Sequence, residues 1–303
     1  MESKLAVNKN YGYPALTHYA VPQASLAFSH VSRMSPTRFS VLALLLLSAY
    51  CWAEESGTKL SASELLEKAN ANIVRREGEP ILIEGDIAID NEAERNADPC
   101  TSRGCKWGKN TDGKVYVPYS ISNNYSSREK SIITRGLESF SSFSCIRFRP
   151  SRSSDRDWLS IESQSGCWSF VGRRGRKQVV SLSRRGCLYH QTVQHELLHA
   201  LGFNHEQTRS DRDNHIKVLL QNVVSDKHHN FRKIATLNQG TPYDYGSVMQ
   251  YHRTAFSKNG KPTMVPIPNS NVNLGGAKEM SANDKKRLNT LYKCCECHPF
   301  IES

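Results

Sequence analysis

The sequence predicts an α+β fold with two lobes. Between residues 114 and 201, short runs rich in β-branched and aromatic residues alternate with helical patterns. After residue 205 the chain is rich in turn-forming residues as far as a last helical pattern near 282–292. We therefore expect an ordered N-terminal lobe with a sheet, a looser C-terminal lobe, and a cleft between them.

Three segments are predicted to precede this domain. Residues 41–53 are apolar but too short to cross a bilayer, and they end in small residues, as a secretory signal does. A signal of ordinary length would start at Met34, so residues 34–53 are predicted to be the signal peptide and residues 1–33 an upstream extension. Residues 54–95 are acidic and residues 96–303 are basic, so attraction between them would help hold the first against the second.

The helices and strands of the domain follow from local patterns. Ser61 and Glu64 have the spacing of a capping box, which predicts a helix over residues 61–73. A second helix begins at Ser126 and carries apolar residues at helical spacing. Strands are expected at residues 114–119, 146–148, 158–162 and 179–182, a further helix at 192–201, and a last helix at 282–292 that Ser281 and Asp284 cap.

Residues 195–205 contain the donors of a catalytic zinc site. His195 and His199 are four residues apart, so a helix places both on one face, where they can chelate one zinc ion. Glu196 is offset from them and suits a general base rather than a ligand. Gly202 can stop the helix in a left-handed conformation and bring His205 round as the third ligand. Three protein ligands leave a fourth position open, which is typical of catalytic zinc.

This stretch resembles the zinc signature of the astacin family of metalloendopeptidases, within the metzincins. The resemblance continues through Phe203 and Glu206 to Arg209-Ser210-Asp211-Arg212-Asp213. Residues 247–251 resemble the Met-turn of that family, and residues 167–172 with Cys187 also fit its pattern. The resemblance covers about the last two hundred residues. It implies a two-lobed zincin domain with a twisted N-terminal sheet, an active-site helix, a Met-turn and a C-terminal helix.

The resemblance also implies roles for single residues. Met249 would form an apolar floor beneath the zinc, and Tyr251 would be a fifth ligand that swings away to stabilise the transition state. A trypsin-like protease would cut after Arg95, and the new ammonium of Asn96 would be buried near Glu206.

The family's latency motif is only partly matched. That motif, FxGD, uses its aspartate to bind zinc in place of water, and here Ile83 stands where phenylalanine is usual. Gly85 and Asp86 are retained, so Asp86 is the expected latency ligand. The alternative is a plain Gly-Asp turn.

Nine cysteines suit an oxidising compartment. Cys51 would leave with the signal, and eight cysteines allow 105 pairings. The resemblance implies that Cys167 pairs with Cys187 and Cys145 with Cys294, and that Cys100 and Cys105 form a local bridge as in the hatching-enzyme branch. Cys295 and Cys297 depart from the family pattern; they could pair with each other, pair between chains, or stay free.

The resemblance is closest to fish hatching enzymes, which act on the egg envelope. It implies a secreted monomeric zymogen, stored in secretory granules or released directly, that hydrolyses internal peptide bonds of egg-envelope glycoproteins with one zinc ion per subunit. Nucleic acid and membranes are not expected as partners, because the arginine-rich stretches lack interleaved aromatic residues and residues 41–53 are too short to span a bilayer. Two alternatives stay open. One is another secreted astacin protease, from leucocyte, kidney or digestive tissue; the other is a non-catalytic basic zinc protein that binds acidic glycans or envelope.

Overall fold

The computed structural model describes residues 60–74, 76–90 and 104–294. The following expectations lie outside these described residues: the upstream extension at 1–33, the signal peptide at 34–53, the cleavage site at Arg95 and Asn96, and the cysteines Cys100, Cys295 and Cys297.

A seven-stranded sheet forms the first lobe. Its strands are β1 (Ile81–Ile83), β2 (Ile87–Ile89), β3 (Val115–Ile121), β4 (Ile146–Pro150), β5 (Trp158–Glu162), β6 (Cys167–Ser169) and β7 (Lys177–Leu182). They lie in the order β1-β2-β6-β7-β5-β3-β4. Strands β7, β5, β3 and β4 are parallel, and β6 is antiparallel to β7. The hairpin of β1 and β2 extends the sheet beyond β6.

The expected strands are present, and three others are new. Strand β7 begins at Lys177, two residues before the expected start, because Trp158 N–H pairs with the carbonyl of Arg176 and carries the ladder further. Strands β1, β2 and β6 have three residues each. Such short runs show no alternation in sequence; β1 and β2 are defined by pairing with each other across a tight turn, and β6 by pairing with β7 and β2.

The helices are α1 (Ala62–Asn70), α2 (Ser127–Glu138), α3 (His190–Ala200) and α4 (Ala282–Tyr292). The three expected capping boxes, at Ser61, Ser126 and Ser281, are all formed. Helix α1 ends three residues earlier than expected, where the side chain of Asn70 bonds to the backbone of Cys167 instead of facing solvent. No helix among the described residues has the length and apolar character needed to cross a bilayer.

Helix α3 lies in the core. All its residues from Gln191 to Ala200 are buried, and it packs against α2. Gly136 of α2 lies tight against α3, since an added Cβ would lie 2.4 Å from Cγ1 of Val193. Disulfides join Cys167 to Cys187 just before α3, and Cys145 to Cys294 just after α4. These are two of the three pairings that the resemblance implied.

The second lobe has little regular structure, as the turn-rich sequence predicted. One antiparallel pair, β8 (Ile216–Val218) with β9 (Met264–Pro266), was not foreseen. Short 3-10 helices occupy Glu206–Thr208, Arg212–Asn214, Leu220–Asn222 and Ser225–Phe231. The lobe nevertheless has its own apolar cluster, which contains Phe231, Tyr251 and Met264.

We predict that Gly136→Ala destabilises the chain although alanine favours helix. The methyl group overlaps Val193, and such overpacking costs about 1–3 kcal/mol, more than the roughly 1 kcal/mol that alanine gains over glycine. Gly108→Ala is the matched control, because nothing lies within 4 Å of its added Cβ. Urea unfolding checks this; an unchanged or raised midpoint for Gly136→Ala would contradict the packing described.

Candidate metal centre

The end of α3 and the turn after it deliver three histidines to one point. His195 and His199 lie one helical turn apart on α3. Gly202 then adopts a φ of 107° and donates its N–H to the carbonyl of His199 at 2.8 Å. This left-handed glycine closes the helix and reverses the chain, which places His205 beside the other two rings.

Asp86 of the N-terminal segment (residues 60–74 and 76–90) completes a four-residue cluster. Its carboxylate lies 3.0 Å from Nε2 of His195, 3.7 Å from Nε2 of His199 and 3.1 Å from Nε2 of His205. One ligand atom from each of the four residues lies within 4.8 Å of the others, and all four residues are buried.

Hydrogen bonds fix the tautomers of two of these histidines. Nδ1 of His195 lies 2.8 Å from the carbonyl of Val248, and Nδ1 of His199 lies 2.7 Å from the carbonyl of Phe203. A carbonyl can only accept, so each Nδ1 carries the proton and each Nε2 presents a lone pair. The two Nε2 atoms are 3.0 Å apart, and two lone pairs cannot hydrogen-bond to each other.

A zinc ion fits this donor set. Oδ1 of Asp86 and Nε2 of His205 are buried and have no hydrogen-bond partner within the described part of the chain, although they lie 3.1 Å apart. Three neutral imidazole nitrogens and one carboxylate oxygen are ordinary tetrahedral zinc ligands. A cation between them would resolve the facing lone pairs and the unpaired atoms together.

The electrostatics of the cluster keep Asp86 in its anionic form. Burial alone would raise the pKa of Asp86, but its contacts with the three histidine rings, above all with His205, hold it well below its usual range. Burial likewise opposes protonation of His205, yet Asp86 and Glu84 raise the pKa of His205 to about 9. Burial lowers the pKa of His199 to about 4. The ionised carboxylate is the form that binds a metal.

Glu196 lies on α3 next to the first histidine and is completely buried. Neither carboxylate oxygen has a hydrogen-bond partner among the residues described. Burial, and then repulsion from Asp86, raise the pKa of Glu196 well above its usual range. A carboxylate with a raised pKa and open acceptor sites beside a metal centre suits a general base.

Tyr251 packs against the ring of His205. Its ring centroid is 4.6 Å from that of His205, and its hydroxyl donates to the backbone carbonyl of Glu84. Phe231 and Phe256 contact the ring edge-on. The hydroxyl is therefore engaged by the N-terminal segment in this structure.

The turn at residues 247–250 packs in the core with α3 and is held by α4. Met249 is buried in the core cluster with residues of α3, and Gln250 N–H closes the turn on the carbonyl of Ser247 at 3.1 Å. Asp284 of α4 holds the turn through the hydroxyl of Ser247 at 2.6 Å and the N–H of Val248 at 3.0 Å. The sequence identified Asp284 only as a helix cap.

Glu206, which follows the third histidine, is the centre of a buried ion-pair network. Its carboxylate binds both terminal nitrogens of Arg287, accepts from Arg209 at 3.2 Å, and accepts from the N–H of Asp244 at 2.7 Å. Its own N–H donates to the carbonyl of Met249 at 3.0 Å. The network joins the turn that follows His205, the turn at residues 247–250 and α4. Sequence reasoning missed Arg287, because its partner lies 81 residues away.

The rest of the N-terminal segment fills the cleft around the metal cluster. Asn70 donates to the carbonyl of Cys167 at 2.8 Å and accepts from its N–H at 2.8 Å, so its amide pairs with the backbone of strand β6. Glu67 accepts from Phe256 N–H at 2.7 Å and binds the ring of His252. Cys105 is disulfide-bonded, whereas Cys100, its expected partner, lies outside the described residues.

Comparison with known proteins agrees with this arrangement. Residues 105–293 match the model of the peptidase family described as Astacin. The chain is 46% identical over 267 residues to low choriolytic enzyme of Oryzias latipes, covering 84% of this chain and 97% of that protein. It is 40% identical over 228 residues to zinc metalloproteinase nas-15 of Caenorhabditis elegans, covering 70% of this chain and 39% of that protein.

A solved structure is similar as well. High choriolytic enzyme 1, a hatching enzyme zinc-protease from Oryzias latipes, is 44% identical and has a TM-score of 0.63; the match covers 66% of this chain and 100% of that chain. The family match extends over more than half of the present sequence. The chain therefore belongs to the astacin family of zinc metalloproteases.

Proposed function

We propose that this astacin protease is made as a secreted zymogen and cleaves egg-envelope proteins after processing. The observation that carries the proposal is the position of Asp86, which lies against all three zinc histidines from a segment N-terminal to the matched domain. A ligand supplied by that segment blocks the centre and is lost when the segment is cut away.

The proposed chemistry is hydrolysis of internal peptide bonds. Zinc, when bound, lowers the pKa of a coordinated water to about 7 and polarises the scissile carbonyl. Glu196 accepts the proton of the attacking water and passes it to the leaving amine. Tyr251 turns its hydroxyl from Glu84 toward the developing oxyanion once the N-terminal segment has left.

The proposed processing follows from the same layout. Residues 1–33 are the upstream extension, 34–53 the signal peptide, 54–95 the propeptide and 96–303 the catalytic domain. A trypsin-like protease cuts between Arg95 and Asn96. Loss of the propeptide frees strand β6, whose Cys167 and Ser169 bond to Asn70 and Asp86 in the unprocessed chain. An extended substrate can then pair with that edge.

The egg-envelope substrate is proposed from likeness and charge. The similar choriolytic enzymes of Oryzias latipes carry that activity in their names, and this chain has a net charge of +11 at pH 7. A basic protease is attracted to an acidic matrix. The family membership argues against the alternative of a binding protein without catalysis.

Chain processed at Arg95 should cleave both casein and isolated egg envelope, and a zinc chelator should abolish both activities because the three histidines then hold no metal. Fragment release on gels and envelope softening measure this. Cleavage of casein with an intact envelope would discard the envelope substrate and keep the protease.

Glu196→Gln should keep its zinc and lose turnover by about 10²–10⁴-fold, the usual contribution of a general base. Zinc content is measured by elemental analysis and turnover on a fluorogenic peptide. The matched control is Glu138→Gln, the same change at an exposed position of α2. Strong residual activity of Glu196→Gln would contradict the proposed role.

Asp86→Asn should leave the unprocessed chain partly active. Loss of a charged contact costs about 1.5–3 kcal/mol, or about 10–100-fold in the balance of blocked and open sites. Asp90→Asn is the control, since Asp90 forms a surface ion pair with Arg174. Peptidase activity before processing measures the effect; an Asp86→Asn chain as inactive as the wild type would refute this latency.

A further inference from the structure

We propose that Glu84 is a second latency residue, whose carboxylate holds the third zinc histidine from the outer side of its ring. The inference rests on the proposed latency of the unprocessed chain. Glu84 stands at the position of the FxGD motif that has no prescribed residue, two before Asp86.

The contact is direct and buried. Oε2 of Glu84 lies 2.8 Å from Nδ1 of His205, and both side chains are buried. The ring of His205 is thus held between two carboxylates of one hairpin turn, Glu84 at Nδ1 and Asp86 at Nε2. A carboxylate that accepts the outer N–H of a zinc histidine fixes the orientation of the ring and strengthens it as a ligand.

The three histidines differ in which part of the chain supplies the acceptor for Nδ1–H. His195 and His199 donate to the carbonyls of Val248 and Phe203, which belong to the catalytic domain. His205 donates to a carboxylate of the N-terminal segment. Cleavage at Arg95 therefore leaves the partners of the first two in place and removes the partner of the third.

The backbone of Glu84 places its side chain independently of that contact. Its N–H donates to Oδ1 of Asn230 at 2.9 Å, and its carbonyl accepts from the hydroxyl of Tyr251. Its φ is 49°, in the left-handed region that non-glycine residues seldom adopt. Glu84 is thus held through its N–H, its carbonyl and its side chain. Its carbonyl engages the hydroxyl of Tyr251, which is proposed to stabilise the transition state.

The charge balance also favours two carboxylates at this turn. A zinc ion bound by three neutral imidazoles carries two positive charges into a buried site, and one aspartate compensates only one of them. Glu84 places a second carboxylate against the opposite side of a ligand ring; burial raises the pKa of Glu84, and the contact with His205 counters that rise. Paired buried charges avoid the large cost of an uncompensated one.

The test is the rate at which the unprocessed, zinc-loaded chain loses zinc to a chromogenic chelator. Glu84→Gln keeps the shape of the side chain but replaces the carboxylate with a neutral amide. We expect zinc release about 10–100-fold faster, because losing such an outer partner usually weakens metal affinity by that factor. Glu77→Gln, the same change at an exposed position of the same segment, should release zinc at the wild-type rate.

Processing supplies an internal control. Cutting at Arg95 removes residue 84, so the wild type and both variants yield the same mature enzyme, which must release zinc and cleave peptide at equal rates. If Glu84→Gln does not fold, Glu84→Asn replaces it, because asparagine tolerates a left-handed backbone but is too short to reach His205. Either variant should release zinc faster than Glu77→Gln.

The inference would be overturned if the Glu84 variant released zinc at the wild-type rate. It would also be overturned if Glu77→Gln released zinc as fast as the Glu84 variant, since that would indicate general loosening of the segment. The readout is independent of catalysis. Failure of latency in general shows instead in the Asp86→Asn chain, so the two proposals fail in different experiments.

Discussion

The Nε2 atoms of His195 and His199 on α3 face each other 3.0 Å apart. The proton of each ring is on Nδ1, which donates to a backbone carbonyl. The two lone pairs repel each other when no cation lies between them, and both can bind a single zinc ion. The left-handed Gly202 adds the third nitrogen by reversing the chain at the end of the helix. Helix α3, the disulfide that precedes it and the turn that follows it together direct the three lone pairs toward one point.

The same constraint connects the two lobes. The carbonyl that orients His195 belongs to Val248 in the Met-turn, and the N–H of that residue is held by Asp284 of α4. Glu206 joins the Met-turn to Arg287 on the same helix. Helix α4 is therefore linked to His195 by a short chain of buried hydrogen bonds, and through Arg287 to Glu206, the residue that follows His205. The isolated zinc helix could not fix its own histidine tautomers.

Sequence reasoning succeeded where the determinants are local. The capping boxes at Ser61, Ser126 and Ser281 each need only three residues of spacing, and the zinc motif needs one helical turn and a glycine. It failed for the three-residue strands, which are too short to show a period-two pattern and are defined only by their pairing. It also missed Glu84, whose partner His205 lies 121 residues away. Glutamate before Gly-Asp carries no local signal of that contact.

The most direct test of this account is a crystal structure of the unprocessed, zinc-loaded chain, with anomalous data collected at the zinc edge. One zinc ion should be bound by Nε2 of His195, His199 and His205 and by the carboxylate of Asp86. Nδ1 of His205 should donate a hydrogen bond to the carboxylate of Glu84. Zinc held elsewhere, or a water in place of Asp86 at the fourth position, would contradict it.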